Sequence, residues 1–460
     1  MTNQKKGLSA LLSLVALGLM STSYAHAQSG TSGGFSAPQV SAPQFSAPQL
    51  DGAQFSTPQF SAPQYGTYAP VASDCGCGTP AAASSSCGCS SCGGGVGGGR
   101  EGGLLGCNES STRDPWTLFG RRDQGLFRNV DIGGWFSAGF TEESTGLFNT
   151  TPDSFSLGQA WLFAEKAADG SNGLDFGWRF DGVYGVDAPD TQSFGNPGPT
   201  FDLNPSFTRG GQFGWAIPQA YGELASGKWN VKVGHFYTLV GYEVVTAPDN
   251  FFFSHSITSF NTEPFTHTGA IATYEVSDNF TLYGGWTAGW DSGFDFGAGS
   301  NFLGGFSSQL NDRTSLTYIT TFGDFGLRSA GNDDAYSHSI VFDTALTDRL
   351  QWVVQSDLLR IDSTGEDNVG LNQYLIYSIN DCTSIGTRVE WWKADEVTGF
   401  APHGGVFPAG GGSHSYYEAT FGVNRRLASN LLIRPEYRVD WSPALGYSEG
   451  FFAMDAILTY

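Results

Sequence analysis

The chain has 460 residues and a formal net charge of −22, from 44 acids against 22 bases; aromatics make up 14% and charged residues only 14%. Soluble domains carry roughly a quarter charged residues, so this chain is poor in charge. The acidic balance argues against a nucleic-acid partner. The 36 Phe, 18 Tyr and 12 Trp exclude a wholly disordered chain, and the 64 glycines follow no triplet repeat, which excludes collagen. The length allows either a few soluble domains or one large closed sheet.

Residues 1–27 read as a secretory signal. Lys5 and Lys6 give a basic start, Leu8 to Met20 is apolar, and Ala25-His26-Ala27 is a small-x-small cleavage site. The apolar run is shorter than the ~20 residues a membrane-spanning helix needs, so cleavage near Ala27 is expected rather than an uncleaved anchor. No later run could span a membrane as a helix. Export places the protein in a bacterial periplasm, outer membrane or exterior.

Residues 28–110 form a low-complexity arm. A unit of Ser-Ala-Pro-Gln type recurs at Ser36–Gln39, Ser41–Gln44, Ser46–Gln49, Ser56–Gln59 and Ser61–Gln64. Proline at this spacing blocks helix and ladder alike, so a disordered, extended tether is expected. Six cysteines follow: Cys75, Cys77, Cys87, Cys89, Cys92 and Cys107. In an exported chain their default is oxidation, within the segment or between molecules, which makes them candidate cross-links to the envelope. A soft-metal site and no defined role are the alternatives. Cys382 stands alone on a predicted strand and reads as a small packing residue.

The barrel domain is expected over residues 111–460, and from about Val130 to Tyr460 apolar and polar side chains alternate with period two, the mark of half-buried strands. From Leu431, for example, Leu431, Ile433, Val439 and Trp441 oppose Leu432, Arg434, Glu436, Arg438 and Asp440. From Phe280, one face carries Leu282, Trp286, Ala288 and Trp290. We expect about sixteen strands, near 129–141, 155–166, 173–187, 213–225, 228–240, 266–277, 279–291, 302–310, 313–323, 336–347, 349–361, 370–380, 382–393, 413–427, 430–441 and 450–460. Short turns such as Ser226-Gly227, Ser277-Asp278 and Asn380-Asp381 alternate with long loops near 142–154, 188–212, 241–265, 292–301, 324–335, 362–369, 394–412 and 442–449.

Short turns at one rim and long loops at the other describe an outer-membrane barrel. In hydrocarbon every backbone group needs an internal partner, so a membrane sheet must close on itself. The reading is therefore all-β: a transmembrane antiparallel barrel of about sixteen strands. Phe452, Met454, Ala456, Leu458 and Tyr460 form the lipid-facing set of its last strand. Pro218 and Pro435, inside predicted strands, each predict a bulge.

Gln159-Ala160-Trp161-Leu162-Phe163, Gly214-Trp215-Ala216-Ile217-Pro218-Gln219-Ala220-Tyr221 and Val233-Gly234-His235-Phe236-Tyr237, followed by Ala247-Pro248-Asp249-Asn250-Phe251-Phe252-Phe253-Ser254, resemble the OmpL-like β-barrel porins of bacterial outer membranes. The resemblance covers residues 115–460 and leaves out the arm. It implies a pore and carries no functional residue.

A barrel of this size holds an aqueous channel unless plugged. Loop 241–265 is the third long loop, the one that folds inward in porins of this size, and is the candidate constriction. Its Glu243, Asp249 and Glu263 would face wall cations Arg179, Lys232, Arg388, Arg434 and Arg438, setting a transverse field for polar solutes. The alternative is that the arginines pair with Asp181, Glu390, Glu436 and Asp440 as space-filling lumen salt bridges. The functional expectation is passive diffusion of small hydrophilic solutes. A structural anchor cross-linked through the cysteine arm is the second reading, and a barrel hydrolase the third. Expected partners are outer-membrane lipid, small hydrophilic solutes, a homotrimer and covalent envelope partners; no nucleic acid, cofactor or metal is expected. Gly446-Tyr447-Ser448-Glu449-Gly450 matches G-x-S-x-G but precedes a strand, whereas a nucleophile elbow needs strand, sharp turn and helix.

Overall fold

The computed structural model describes residues 107, 110–111, 113–119, 129–204, 207, 212–296, 299–329, 334–362, 364–395 and 413–460. The signal peptide, the proline repeats and Cys75 to Cys92 lie outside the described residues.

The alternating segments form sixteen strands: β1 Asp131–Thr141, β2 Ser154–Lys166, β3 Asp175–Gly185, β4 Gly214–Ser226, β5 Trp229–Tyr237, β6 Thr266–Ser277, β7 Phe280–Thr287 and β8 Ser300–Asn311 make the first half. The second half is β9 Thr314–Asp324, β10 Asp334–Ala345, β11 Leu350–Ile361, β12 Glu366–Asn380, β13 Thr383–Ala394, β14 His414–Ala428, β15 Leu431–Ser442 and β16 Tyr447–Thr459. Each strand pairs antiparallel with its sequence neighbours, and β1 pairs with β16 to close the barrel. The seam runs from Trp135 opposite Thr459 to Thr141 opposite Ala453. It ends with Gly134 and Tyr460 exchanging two backbone hydrogen bonds of 3.1 and 2.9 Å. Closure leaves no strand edge, the condition hydrocarbon imposes.

The period-two pattern sorts side chains to two faces. On β16, Phe451, Ala453, Asp455 and Ile457 are buried inside, while Leu458 is exposed outward beside Phe136 of the neighbouring strand. Phe155, Phe176, Trp215, Trp229, Val233, Trp286 and Phe421 are also exposed, an apolar outer face suited to lipid. Tight turns join β4 to β5, β6 to β7, β8 to β9 and β12 to β13, and longer connections stand at the opposite rim. By this parity the tight-turn rim faces the periplasm.

Three expectations are corrected. Trp290 does not share the lipid face with Trp286: β7 stops at Thr287, Gly289 takes φ 99°, and Trp290 turns in to stack on Phe325 with centroids 4.3 Å apart. A left-handed glycine breaks the strand that alternation alone would continue. Pro218 does sit at a register shift of β4 against β3, but Pro435 does not disturb its strand. Glu436 still faces Gly422 and Ile433 still faces Arg425, so the register is continuous across it. Finally, Cys382 is not a packing residue on a strand. It lies on the β12–β13 turn and forms a disulfide with Cys107, with Cα atoms 5.8 Å apart.

Candidate functional site: the inward loop

The connection between Tyr237 and Thr266 turns into the barrel. Most of it is buried, including Tyr242, Phe251, Phe252 and every residue from Ser254 to Phe265. Two short pieces give it internal order. Ala247–Asp249 is a 3₁₀ turn, and α1, Ile257–Asn261, is capped by the Ser256 hydroxyl, which accepts from Ser259 N at 3.2 Å.

A buried irregular loop must find partners for its peptide groups, and here the barrel wall supplies them. Arg434 Nη1 donates to the carbonyls of Ala247 (2.8 Å), Asn250 (2.6 Å) and Phe252 (3.1 Å). Arg388 Nη1 donates to Ser254 O at 2.7 Å, and Arg438 Nη1 to His255 O at 2.6 Å. Two glutamates take the N–H groups. Glu436 accepts from Phe253 N and Ser254 N at 2.8 and 3.1 Å, and Glu390 from Ile257 N and Thr258 N, both at 2.6 Å. Gln159 bridges from β2, donating to Val245 O at 2.8 Å and accepting from Ala247 N at 3.0 Å. Gln355 accepts from Tyr242 N at 3.1 Å, and Trp392 Nε1 donates to Thr262 Oγ1 at 3.1 Å. The loop is thus fastened to β2, β11, β13 and β15.

The arginines are themselves paired, as buried cations must be. Arg388 bridges Glu243 (2.6 Å) and Glu418 (2.7 Å), Arg434 pairs with Asp455 (2.7 Å), and Arg438 with Asp440 (2.8 Å). Burial works against the charge of Glu243, but Arg388, His255 and the Ser256 N–H outweigh it and hold the carboxyl below its ordinary range.

The sequence-predicted residues fall into two groups. Glu243, Arg388, Arg434 and Arg438 meet at the loop, Glu243 in direct contact with Arg388 rather than across a gap. Glu263 reaches the same wall, where it accepts a short hydrogen bond from Gln355 Nε2. Burial, with Asp357 and Glu243 nearby, pushes its carboxyl well up. Asp249 accepts from Thr246 Oγ1 at 2.6 Å within its own turn. Arg179 and Lys232 belong to a second cluster on the β2–β5 wall. Arg179 contacts Glu165 (3.0 Å) and Asp181 (2.7 Å), and Lys232 sits 4.8 Å over the Tyr221 ring, opposite Glu223 in register.

The salt bridges of the space-filling alternative form for Arg179 with Asp181 and for Arg438 with Asp440, although Arg438 also holds the loop through His255 O. The alternative is not realised for Glu390 and Glu436, which serve the loop backbone. Gln355 and Asp455 carry no expectation from the sequence, and Gln159 enters there only as part of the resemblance; each is a polar residue at an inward position of an alternating strand, the one signal available.

Other long loops pack near the inward one. Asp291, after β7, accepts from Phe265 N (2.7 Å) and Thr266 N (3.1 Å) and fastens its own loop to the base of the inward one. The short helix Ala188–Thr191 offers Asp190 to Phe148 N of the first long loop at 2.8 Å. Towards the tight-turn rim the inner wall is less covered: Thr273, Glu275, Ser307, Ser315, Thr317, Asp343 and Gln351 are part-exposed.

A closed sixteen-strand barrel with an apolar exterior, a polar lumen and a loop bound inside defines the outer-membrane channel class. The profile of the family described as "Putative beta-barrel porin-2, OmpL-like" matches residues 129–453. The chain belongs to this family and is a porin of the bacterial outer membrane. No curated protein matches it. Among solved structures it resembles the outer membrane channel DcaP of Acinetobacter baumannii, at 13% identity over 72% of this chain and 97% of that one, TM-score 0.48. It also resembles the trimer form of Vibrio cholerae OmpT, at 11% identity, 72% and 99% coverage and TM-score 0.46. A triple mutant of the Rhodopseudomonas blastica porin gives 14% identity, 72% and 100% coverage and TM-score 0.44.

Proposed function

We propose that the inward loop, residues 241–265, is the constriction of this porin and limits passage to small hydrophilic solutes. Glu243, Asp249 and Glu263 are its acidic residues. Arg388, Arg434 and Arg438 act by holding the loop in place, while Arg179 and Lys232 line the approach. The observation that carries this reading is the binding of loop peptide groups by lumen side chains of four strands, which fixes where the loop sits. We further read the assembly as a homotrimer, the mature chain as starting near Gln28, and Cys75, Cys77, Cys87, Cys89 and Cys92 as candidate cross-links. The structural-anchor reading is not favoured: Cys107, one of its six cysteines, is bonded within the chain. A hydrolase is not supported either, because Ser448 lies at the start of β16 and not between strand and helix.

Planar-bilayer recording of the purified chain tests the proposal. Stepwise, ohmic currents that change in size when loop anchors are substituted are expected. Insertion without current, or currents indifferent to every loop substitution, overturns it.

A further inference from the structure

Upstream of the family match, Cys107, Ser110 and Trp116 each contact the tight-turn rim. The Cys107–Cys382 disulfide holds one end at the β12–β13 turn. Ser429 N donates to Ser110 O at 2.7 Å beside the β14–β15 turn. Asn430 then grips Trp116 by its backbone: its Oδ1 accepts from Trp116 N at 2.9 Å and its Nδ2 donates to Trp116 O at 2.8 Å. The same Nδ2 donates to Thr459 O at 2.9 Å, so one buried asparagine joins this segment to the last residues of β16.

With its peptide group satisfied at the rim, Trp116 leaves its ring half exposed. Trp116 is 50%, Leu118 61% and Phe119 44% exposed. Three large apolar side chains within four positions are costly in water, and a tryptophan with an apolar body and one N–H suits the boundary between hydrocarbon and headgroups. The patch hangs from the rim beside a surface that meets lipid: Asn430, which holds Trp116, also binds Thr459, the residue after the outward-facing Leu458, and Leu458 pairs with the lipid-facing Phe136.

We infer that residues 116–119 dock into the periplasmic leaflet of the outer membrane, as an interfacial anchor held to the rim by the Cys107–Cys382 disulfide and Asn430. The occupant of this patch is lipid, at the depth of the headgroup–acyl boundary.

The test uses the full-length protein reconstituted in vesicles of phosphatidylethanolamine and phosphatidylglycerol, with p-benzoylphenylalanine replacing Leu118. Leu458 replaced in the same way gives the lipid-belt reference, and Arg113 gives an aqueous one. After irradiation, mass spectrometry should find phospholipid adducts at position 118 in a yield comparable to position 458, with none at 113. In Asn430→Ala, adduct at 118 should fall several-fold while the barrel still shifts on heating in a gel. Absence of lipid adduct at 118 beside a positive 458 overturns the inference, and so does capture of protein in its place.

Discussion

Arg434 and Asp455 face each other across the β15–β16 pair, and the guanidinium fork meets the carboxylate at 2.8 and 2.7 Å. The fork orients the third nitrogen, which gathers the carbonyls of Ala247, Asn250 and Phe252. One side chain thereby couples the closing strands of the barrel to the loop inside it. Lysine cannot reproduce this geometry, since an ammonium lacks the planar fork.

Arg434→Met should therefore do two things. It strands a buried carboxylate, which typically costs about 3–5 kcal/mol, so the temperature at which the folded band converts on a heat-modifiability gel should fall by several degrees. It also releases three loop carbonyls, so single-channel conductance should rise and become noisier. Arg434→Lys should lie between Met and wild type on both measures. An unchanged conversion temperature and unchanged current would show that the loop is held elsewhere.

The disulfide makes a covalent prediction. A digest under non-reducing conditions should contain one peptide pair joined through Cys107 and Cys382, and Cys107→Ser should abolish it and leave Cys382 open to alkylation. Recovery of Cys107 joined to Cys75, Cys77 or another arm cysteine would restore the arm-only reading of that residue.

What the sequence made legible, and what it hid, divides along one physical line. Alternation is a local property, so it placed all sixteen strands and put Arg434, Glu436, Arg438 and Asp440 on the inner face. Partner choice is not local. Cys107 and Cys382 are 275 residues apart, and nothing in the spacing of either pointed to the other. Glu390 and Glu436 looked like partners for arginine, but their oxygens go to N–H groups of the inward loop, because an irregular buried backbone competes for the same carboxylates. Trp290 kept the strand pattern on paper, and only the left-handed Gly289 turned it inward.

Ion selectivity follows from how the lumen charges are used. Arg388, Arg434 and Arg438 are each buried against a carboxylate, so they offer little field to a passing ion. On the part-exposed wall, Arg179 is matched by Glu165 and Asp181, while Glu275 and Asp343 stand on strands β6 and β10, which carry no Lys or Arg. Cations should be favoured. Under a KCl gradient the reversal potential should take the sign of cation preference, and Asp343→Asn should move it towards zero. A reversal potential at zero or of anion sign in the wild type would contradict this allocation of charge.

Asp190 gives the outer loops a pH dependence of calculable sign. Burial pushes its carboxyl up to about 7, against the hydrogen bond from Phe148 N, which favours the charged form. When the first long loop undocks, the carboxyl returns to the ordinary value of about 3.9. Below about pH 4 the group is neutral in both states and docking is strongest. As pH rises from about 4 to 7, the undocked form ionises first and docking weakens, and above 7 both forms are charged and the loss levels off. The full shift corresponds to an upper bound of about 4 kcal/mol. Hydrogen exchange of the peptide 142–153, corrected for intrinsic rate, should thus show stronger protection at pH 5 than at pH 8. Asp190→Asn keeps an acceptor for Phe148 N without a titrating proton, and should flatten the difference. Protection in the wild type that is equal at the two pH values, or greater at pH 8, would mean that Asp190 does not govern how this loop is held.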